Sequence, residues 1–171
     1  MYKRQYQEFL RKAFYKDGRF RETTFIVEAF MRSRCIRKGS AQCGDCHNPH
    51  LAGREGNKTS FKFAANPDEM CVQCHTKYRD NVEAHTHHPA ASNGSRCQSC
   101  HMPRIMNSLL FQASSHQIDD IPTADGALRF GAAESPIACL ECHPAKDAVW
   151  VQSELRGWNQ LRAVQMSHVP K

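Results

Sequence analysis

Tyr2, Tyr6, Phe9, Leu10, Ala13 and Phe14 recur at helical spacing, polar residues that include Lys3, Arg4, Arg11 and Lys12 fill the positions between them, and Asp17-Gly18 ends the run. The pattern predicts a basic amphipathic helix over 2–16, read as a packing helix in preference to one that docks a partner or lies on a membrane. Phe20 to Met31 is a second apolar-periodic segment whose period fits a helix or a strand. From Arg32 to about His143 no long period survives, and the chain reads as loops and short helices. Asn66-Pro67-Asp68-Glu69 is a helix start, with asparagine as cap, proline at the first helical position and acids in the first turn, which places Cys71, Cys74 and His75 on a helix. Ser135-Pro136 predicts the same before Cys139. A last helical stretch over 144–165 carries Ala148, Val149, Leu155, Trp158, Leu161 and Val164, with Gly157 as a point for a kink. The interval from Met102 to Ala138 has the least pattern and is expected to form a small lobe or a contact surface.

Composition changes this picture. Hydrophobic residues make up 40% of the 171, too few for a conventional apolar core, and no run approaches the roughly 18–20 apolar residues of a membrane span. The opening residues contain no apolar run of signal-peptide type. Nine cysteines and ten histidines are far more than packing requires. Eight of the cysteines lie in four identical units: Cys43-Gly-Asp-Cys46-His47, Cys71-Val-Gln-Cys74-His75, Cys97-Gln-Ser-Cys100-His101 and Cys139-Leu-Glu-Cys142-His143.

Each unit is C-x-x-C-H, the attachment signature of c-type haem. Two thiols three residues apart lie on one side of a helical turn, where they can form thioethers to the two porphyrin vinyl groups, and the adjoining histidine reaches the iron. Zinc sites built from paired C-x-x-C units are the rival reading, but they do not require histidine after the second cysteine, which stands there four times. The cofactors are therefore expected to be four covalently bound haems, with porphyrin supplying much of the apolar interior. The units recur after 28, 26 and 42 residues, a cofactor repeat without a regular fold repeat. Trp150 and Trp158 are expected to pack on haem faces or on neighbouring helices.

Charge then reads differently. The formal net charge of +6 would ordinarily suggest an anionic partner. Four ferric haems with ionised propionates reduce it to roughly +2, so the basic excess serves propionate pairing and solubility, and nucleic acid is excluded as a partner.

His47, His75, His101 and His143 are the proximal ligands, which leaves His50, His85, His87, His88, His116 and His168. Four of these six suffice to make every iron six-coordinate, and a saturated iron exchanges electrons without binding substrate. His50 follows Pro49, which directs it away from the first haem toward a neighbouring one. In Ala84-His85-Thr86-His87-His88-Pro89, residues 85 and 88 share a face in a helical turn and 85 and 87 in an extended segment; His85 and His88 are chosen, with His87 in reserve. His116 is the fourth ligand by count. His168 lies at a terminus and is the weakest candidate. Met31, Met102 and Met106 are minor alternatives as axial ligands. Cys35, the odd cysteine, reads as a buried free thiol, with an intermolecular disulfide or an axial thiolate as alternatives.

Cys-Gly-Asp-Cys-His-Asn-Pro-His at 43–50, His-Thr-His-His-Pro at 85–89, Cys-Gln-Ser-Cys-His-Met-Pro at 97–103, His116, and Pro136 to His143 with Trp150 together resemble the multihaem c-type cytochromes related to hydroxylamine oxidoreductase and to nitrite-reductase electron donors. The chain looks most like bacterial multihaem cytochromes that often carry tetratricopeptide repeats. No tetratricopeptide segment follows here, and Cys35 stands where such relatives usually have Met or His. The resemblance implies closely stacked bis-histidine haems outside the cytoplasmic membrane and supports His50, His85, His88 and His116 as distal ligands.

The expected architecture is mostly α with extensive loops, a small multihaem cytochrome c fold organised around four covalently bound haems. It divides into an N-terminal helical or extended segment (1–33), a tetrahaem core (34–143) and a C-terminal helix and tail (144–171), one domain overall. The expected function is electron transfer, periplasmic or extracellular, with redox proteins or other haem subunits as partners. A polymerising cytochrome that forms a conductive filament is the first alternative. An enzyme with one five-coordinate iron reducing a small oxyanion is the second; no enzymatic activity is expected on the main reading.

Overall fold

The computed structural model describes residues 2–49, 61–118 and 123–167, with the backbone alone at 2–3 and 159–167. About half of the chain is helical, in short pieces joined by loops. In chain order the helices are α1 (Tyr2–Ala13), α2 (Ile26–Arg32), α3 (Arg34–Arg37), α4 (Cys43–Cys46), α5 (Glu69–Val72), α6 (Val82–Thr86), α7 (Cys97–His101), α8 (Asp125–Phe130), α9 (Ala138–Cys142) and α10 (Ala148–Ser167). Single 3-10 turns lie at Thr23–Phe25, Thr76–Tyr78 and Asn93–Ser95. A two-stranded antiparallel hairpin pairs β1 (Met106–Asn107) with β2 (Gln112–Ala113).

The first helix forms as its pattern predicts, without glycine or proline and with Arg11 and Lys12 in the last turn to complement the helix dipole. Its packing does not follow. Arg4 to Lys12 are all exposed, Tyr6 at 65% and Phe9 at 53%, and burial begins only at Ala13. The chain then doubles back through Gly18, whose φ of 88° suits glycine, so that Phe14 bridges Phe20. The 20–31 segment resolves as a 3-10 turn followed by α2.

Two small apolar clusters hold the described parts together. In the first, Tyr15, Phe20, Ala29, Ile105 and Met106 are buried, with Phe14, Phe25 and Ala113 against them. The rings of Phe14, Phe20 and Phe25 lie 5.0–6.0 Å apart, and Tyr15 Oη donates to Ile105 O at 2.5 Å. Met106 is wholly buried here, among apolar side chains. The second cluster joins Ala124, Ala127, Ile137 and Val151 beneath α8, α9 and α10. An ionic latch ties the N-terminal turn to the segment before α9. Asp17 accepts from Arg19 Nη2 at 2.7 Å and from Ser135 Oγ at 2.5 Å, and Arg19 Nη2 also donates to Pro136 O.

Three helix boundaries differ from expectation. α5 starts at Glu69, because Asn66 bonds Glu69 through its own side chain and caps nothing, so Cys71 is helical while Cys74 and His75 lie in the turn beyond. Ser135 is used by Asp17 and leaves Ile137 as the N-cap of α9. The last helix begins at Ala148 and continues through Gly157 without a break in its helical assignment. Among the described residues no helix is long and apolar enough to cross a membrane.

The 102–138 interval contributes to both clusters through Ile105, Met106, Ala124, Ala127 and Ile137. The tip of its hairpin exposes Leu109, Leu110 and Phe111.

Candidate functional site

Three of the C-x-x-C units each occupy a single helical turn: Cys43 and Cys46 bound α4, Cys97 and Cys100 lie in α7, and Cys139 and Cys142 lie in α9. The second unit enters the turn at Cys71 and leaves it before Cys74. The backbone N–H groups of His47, His75 and His143 each donate to the carbonyl of the first cysteine of their unit, at 2.8–2.9 Å. That bond closes the turn and sets the imidazole beside the two thiols.

The four turns are neighbours in the order of the sequence. Gln73 Nε2 donates to Asp45 O at 3.1 Å, linking the first and second. Cys97 N donates to Asp68 Oδ1 at 3.0 Å, linking the second and third. Arg104 N donates to Glu141 Oε1 at 2.9 Å, linking the third and fourth, and α7 packs on α9.

The thiols reflect this crowding. Burial pushes Cys46 up, with Asp45, Cys35 and Cys74 adding to it. A hydrogen bond shared with Cys97, and then burial, holds Cys71 far above the ordinary thiol range. Burial, with Cys139 and Cys142 nearby, raises Cys100 to about 11, and burial raises Cys139. The same hydrogen bond from Cys71 lowers Cys97, so the two thiols of this pair shift in opposite directions. Among the described residues, which include all nine cysteines, no group of three or more His, Cys, Asp or Glu closes on a common metal position.

The histidines form three facing pairs. His85 and His101 lie with ring centres 6.1 Å apart and planes 3° from parallel. His88 and His143 are 6.3 Å apart at 39°, and His47 and His116 are 6.4 Å apart at 17°. A first-row metal sits about 2.0–2.1 Å from an imidazole nitrogen, and that nitrogen about 1.1 Å from the ring centre, so two imidazoles on opposite sides of one metal hold their centres about 6.3 Å apart. All three observed separations match that sandwich, and each joins a proximal histidine to one of the distal candidates.

A cavity of about 1350 Å³ is lined by residues of the second, third and fourth units, among them His75, His101 and His143, and by His85 and His88. That exceeds the roughly 300–1,000 Å³ of an ordinary single-ligand pocket. Ring spacing, thiol placement and cavity size therefore fit c-type haem.

Two distal candidates share a local device. His88 Nδ1 lies 2.6 Å from Thr86 O and His116 Nδ1 lies 3.1 Å from Ser114 O, each the carbonyl two residues earlier. A carbonyl only accepts, so Nδ1 carries the proton and Nε2 keeps its lone pair for a metal. Burial lowers the His116 pKa and keeps that ring neutral.

His85 and His88 do not share a face as a continuous helical turn would have them. α6 ends at Thr86, and His87 adopts the left-handed conformation (φ 56°, ψ 27°), which turns the chain and sends His85 toward His101 and His88 toward His143. His87 itself stacks on Trp158 at 4.5 Å, and Trp150 lies 5.1 Å from His143. Tyr78 stands 6.5 Å from His75 and 4.4 Å from His85. His50 and His168 fall outside the described residues. Cys35 is half-buried, with its thiol near Cys46.

Sequence reasoning passed over Tyr78, and Phe61, which lies 5.3 Å from His47. An aromatic residue three positions after a C-x-x-C-H histidine is a signal for the former.

A family model described as a doubled CXXCH motif matches residues 36–80. The match spans the first two units and marks the chain as carrying the haem-binding motif of c-type cytochrome-like proteins. No curated protein and no solved structure matches the chain.

Proposed function

We propose that this chain is a tetrahaem electron-transfer cytochrome in which every iron is bound by two histidines. The observation that carries the reading is the set of three imidazole pairs at 6.1–6.4 Å, each combining a proximal histidine with a distal one. On this reading Cys43, Cys46, Cys71, Cys74, Cys97, Cys100, Cys139 and Cys142 form the thioethers. His47 pairs with His116, His101 with His85 and His143 with His88, and His75 is assigned His50, the fourth distal candidate of the sequence, which lies outside the described residues. Bound in these sites, haem supplies one-electron chemistry.

The protein's own contribution is geometric and electrostatic. Two imidazoles saturate each metal and exclude substrate. The hydrogen-bonded ladder Gln73–Asp45, Cys97–Asp68, Arg104–Glu141 fixes neighbouring units in sequence order, which supports a linear relay with the first and fourth units at its ends. The motifs at 43–50, 85–89 and 97–103 are what relate the proposal to the multihaem relatives of hydroxylamine oxidoreductase and of nitrite-reductase donors. Because c-type attachment is typical of compartments outside the cytoplasm, the proposed location is periplasmic or extracellular, and the proposed partners are redox proteins or other haem subunits.

Protein-film voltammetry with carbon monoxide titration of the reduced protein tests the reading. The expected result is reversible one-electron waves, no catalytic current with nitrite or hydroxylamine, and no carbon monoxide binding. A catalytic wave, or one haem that binds carbon monoxide in the unmodified protein, overturns it in favour of an enzyme.

A further inference from the structure

His88 is held by neighbours of several kinds. Its Nδ1 donates to Thr86 O, Trp158 lies edge-to-face with it at 6.4 Å and 82°, and the 3-10 turn Asn93–Ser95 packs against α6 just before it. At the centre of that turn is Gly94. A β-carbon on Gly94 would lie 2.6 Å from Cγ and 2.9 Å from Nε2 of His88, closer than non-bonded carbon atoms approach. Gly94 is not in the left-handed region, unlike Gly18 and Gly131, so its backbone conformation does not call for glycine. The missing side chain instead makes the space that the imidazole occupies.

We propose that Gly94 is a positioning residue for the fourth haem, its bare backbone forming the floor on which His88 lies to face His143. This rests on the reading of His88 as a metal ligand. With Thr86 O holding one ring edge and Trp158 bordering another, the imidazole cannot yield to a methyl group at 94 without swinging out of line with His143. Gly94 touches no metal; it acts through the ligand.

The test is the spin state of the ferric holoprotein, read by electron paramagnetic resonance and visible spectroscopy, for Gly94→Ala, His88→Ala and the double variant. The unmodified protein is expected to be wholly low-spin. Each single variant is expected to convert one haem in four to a high-spin form that returns to low-spin with added imidazole. The double variant is expected to convert the same one haem and no more, because both substitutions act on a single ligand. If His88→Ala stays wholly low-spin, the ligand assignment falls and the role of Gly94 with it. If His88→Ala loses one low-spin haem but Gly94→Ala loses none, the ligand assignment stands and the role of Gly94 is wrong. If Gly94→Ala or the double variant disturbs more than one haem, Gly94 supports the fold generally and the specific role is refuted.

Discussion

Replacing Asp17 by Asn probes the latch between the N-terminal turn and the segment that leads into the fourth C-x-x-C-H unit. The carboxylate accepts from Arg19 N and Arg19 Nε at 2.9 Å each, from Arg19 Nη2 at 2.7 Å and from Ser135 Oγ at 2.5 Å, and the ion pair is only 15–16% exposed. Hydrogen bonds to a charged group contribute about 1.5–3 kcal/mol against about 0.5–1.5 for neutral ones, so loss of the charge across these bonds costs about 2–4 kcal/mol. For a chain of this size that lowers the thermal midpoint by about 4–16 °C. Burial alone would raise the Asp17 pKa, but the bonds from Arg19 and Ser135 outweigh it and hold the carboxyl below its ordinary 3.8. A depressed folded-state pKa means the stabilisation is complete above 3.8 and is lost as pH falls through the folded value. Thermal melts followed at the haem absorption band should therefore show a full gap between parent and Asp17→Asn at pH 7. The gap should begin to close as pH drops past 3.8. Equal midpoints at pH 7, or a gap that persists undiminished at strongly acidic pH, refute the reasoning.

Met106→Ala empties a wholly buried position in the first apolar cluster and should cost about 2–5 kcal/mol in chemical or thermal unfolding. By contrast Glu69→Gln removes an ion pair to Arg79 in which the arginine side chain is 46% exposed, and should change stability by less than about 1 kcal/mol. His116→Ala should leave four haems attached and convert one, that of the first unit, to a high-spin form that takes up added imidazole; a wholly low-spin spectrum would remove His116 from the ligand set. Cys35→Ser lies outside the C-x-x-C-H units and should leave the number of attached haems unchanged, as counted by mass.

The chemistry was legible because thioether attachment demands local spacing: two thiols one helical turn apart and an adjoining imidazole are written in five consecutive residues. Candidates for distal ligation were legible as a set of six histidines, three of which stand 6.1–6.4 Å from a proximal ring. Their allocation was not, because it depends on tertiary placement. His85 and His88 part company only through the left-handed residue at His87, a conformation that histidine adopts uncommonly and no pattern announces. Ser135 and Asn66 carry the capping side chains of helix starts, yet each is drawn into another hydrogen bond, one of them with a partner more than a hundred residues away. The apolar stripe of α1 was read as a packing face; Tyr6 and Phe9 are exposed, since a hydrophobic period fixes which residues share a face and not what covers it. Gly94 lay in a Ser-Asn-Gly-Ser stretch that reads as any loop, and only the ring above it gives the glycine a reason.

The number of porphyrins per chain is the quantity on which the relay depends. Intact mass of the purified native protein under denaturing conditions, where thioether-linked haem stays attached and coordinated metal is lost, measures it directly. The expected mass is that of the polypeptide plus four haems; a mass corresponding to two haems, or to the bare polypeptide, contradicts the account.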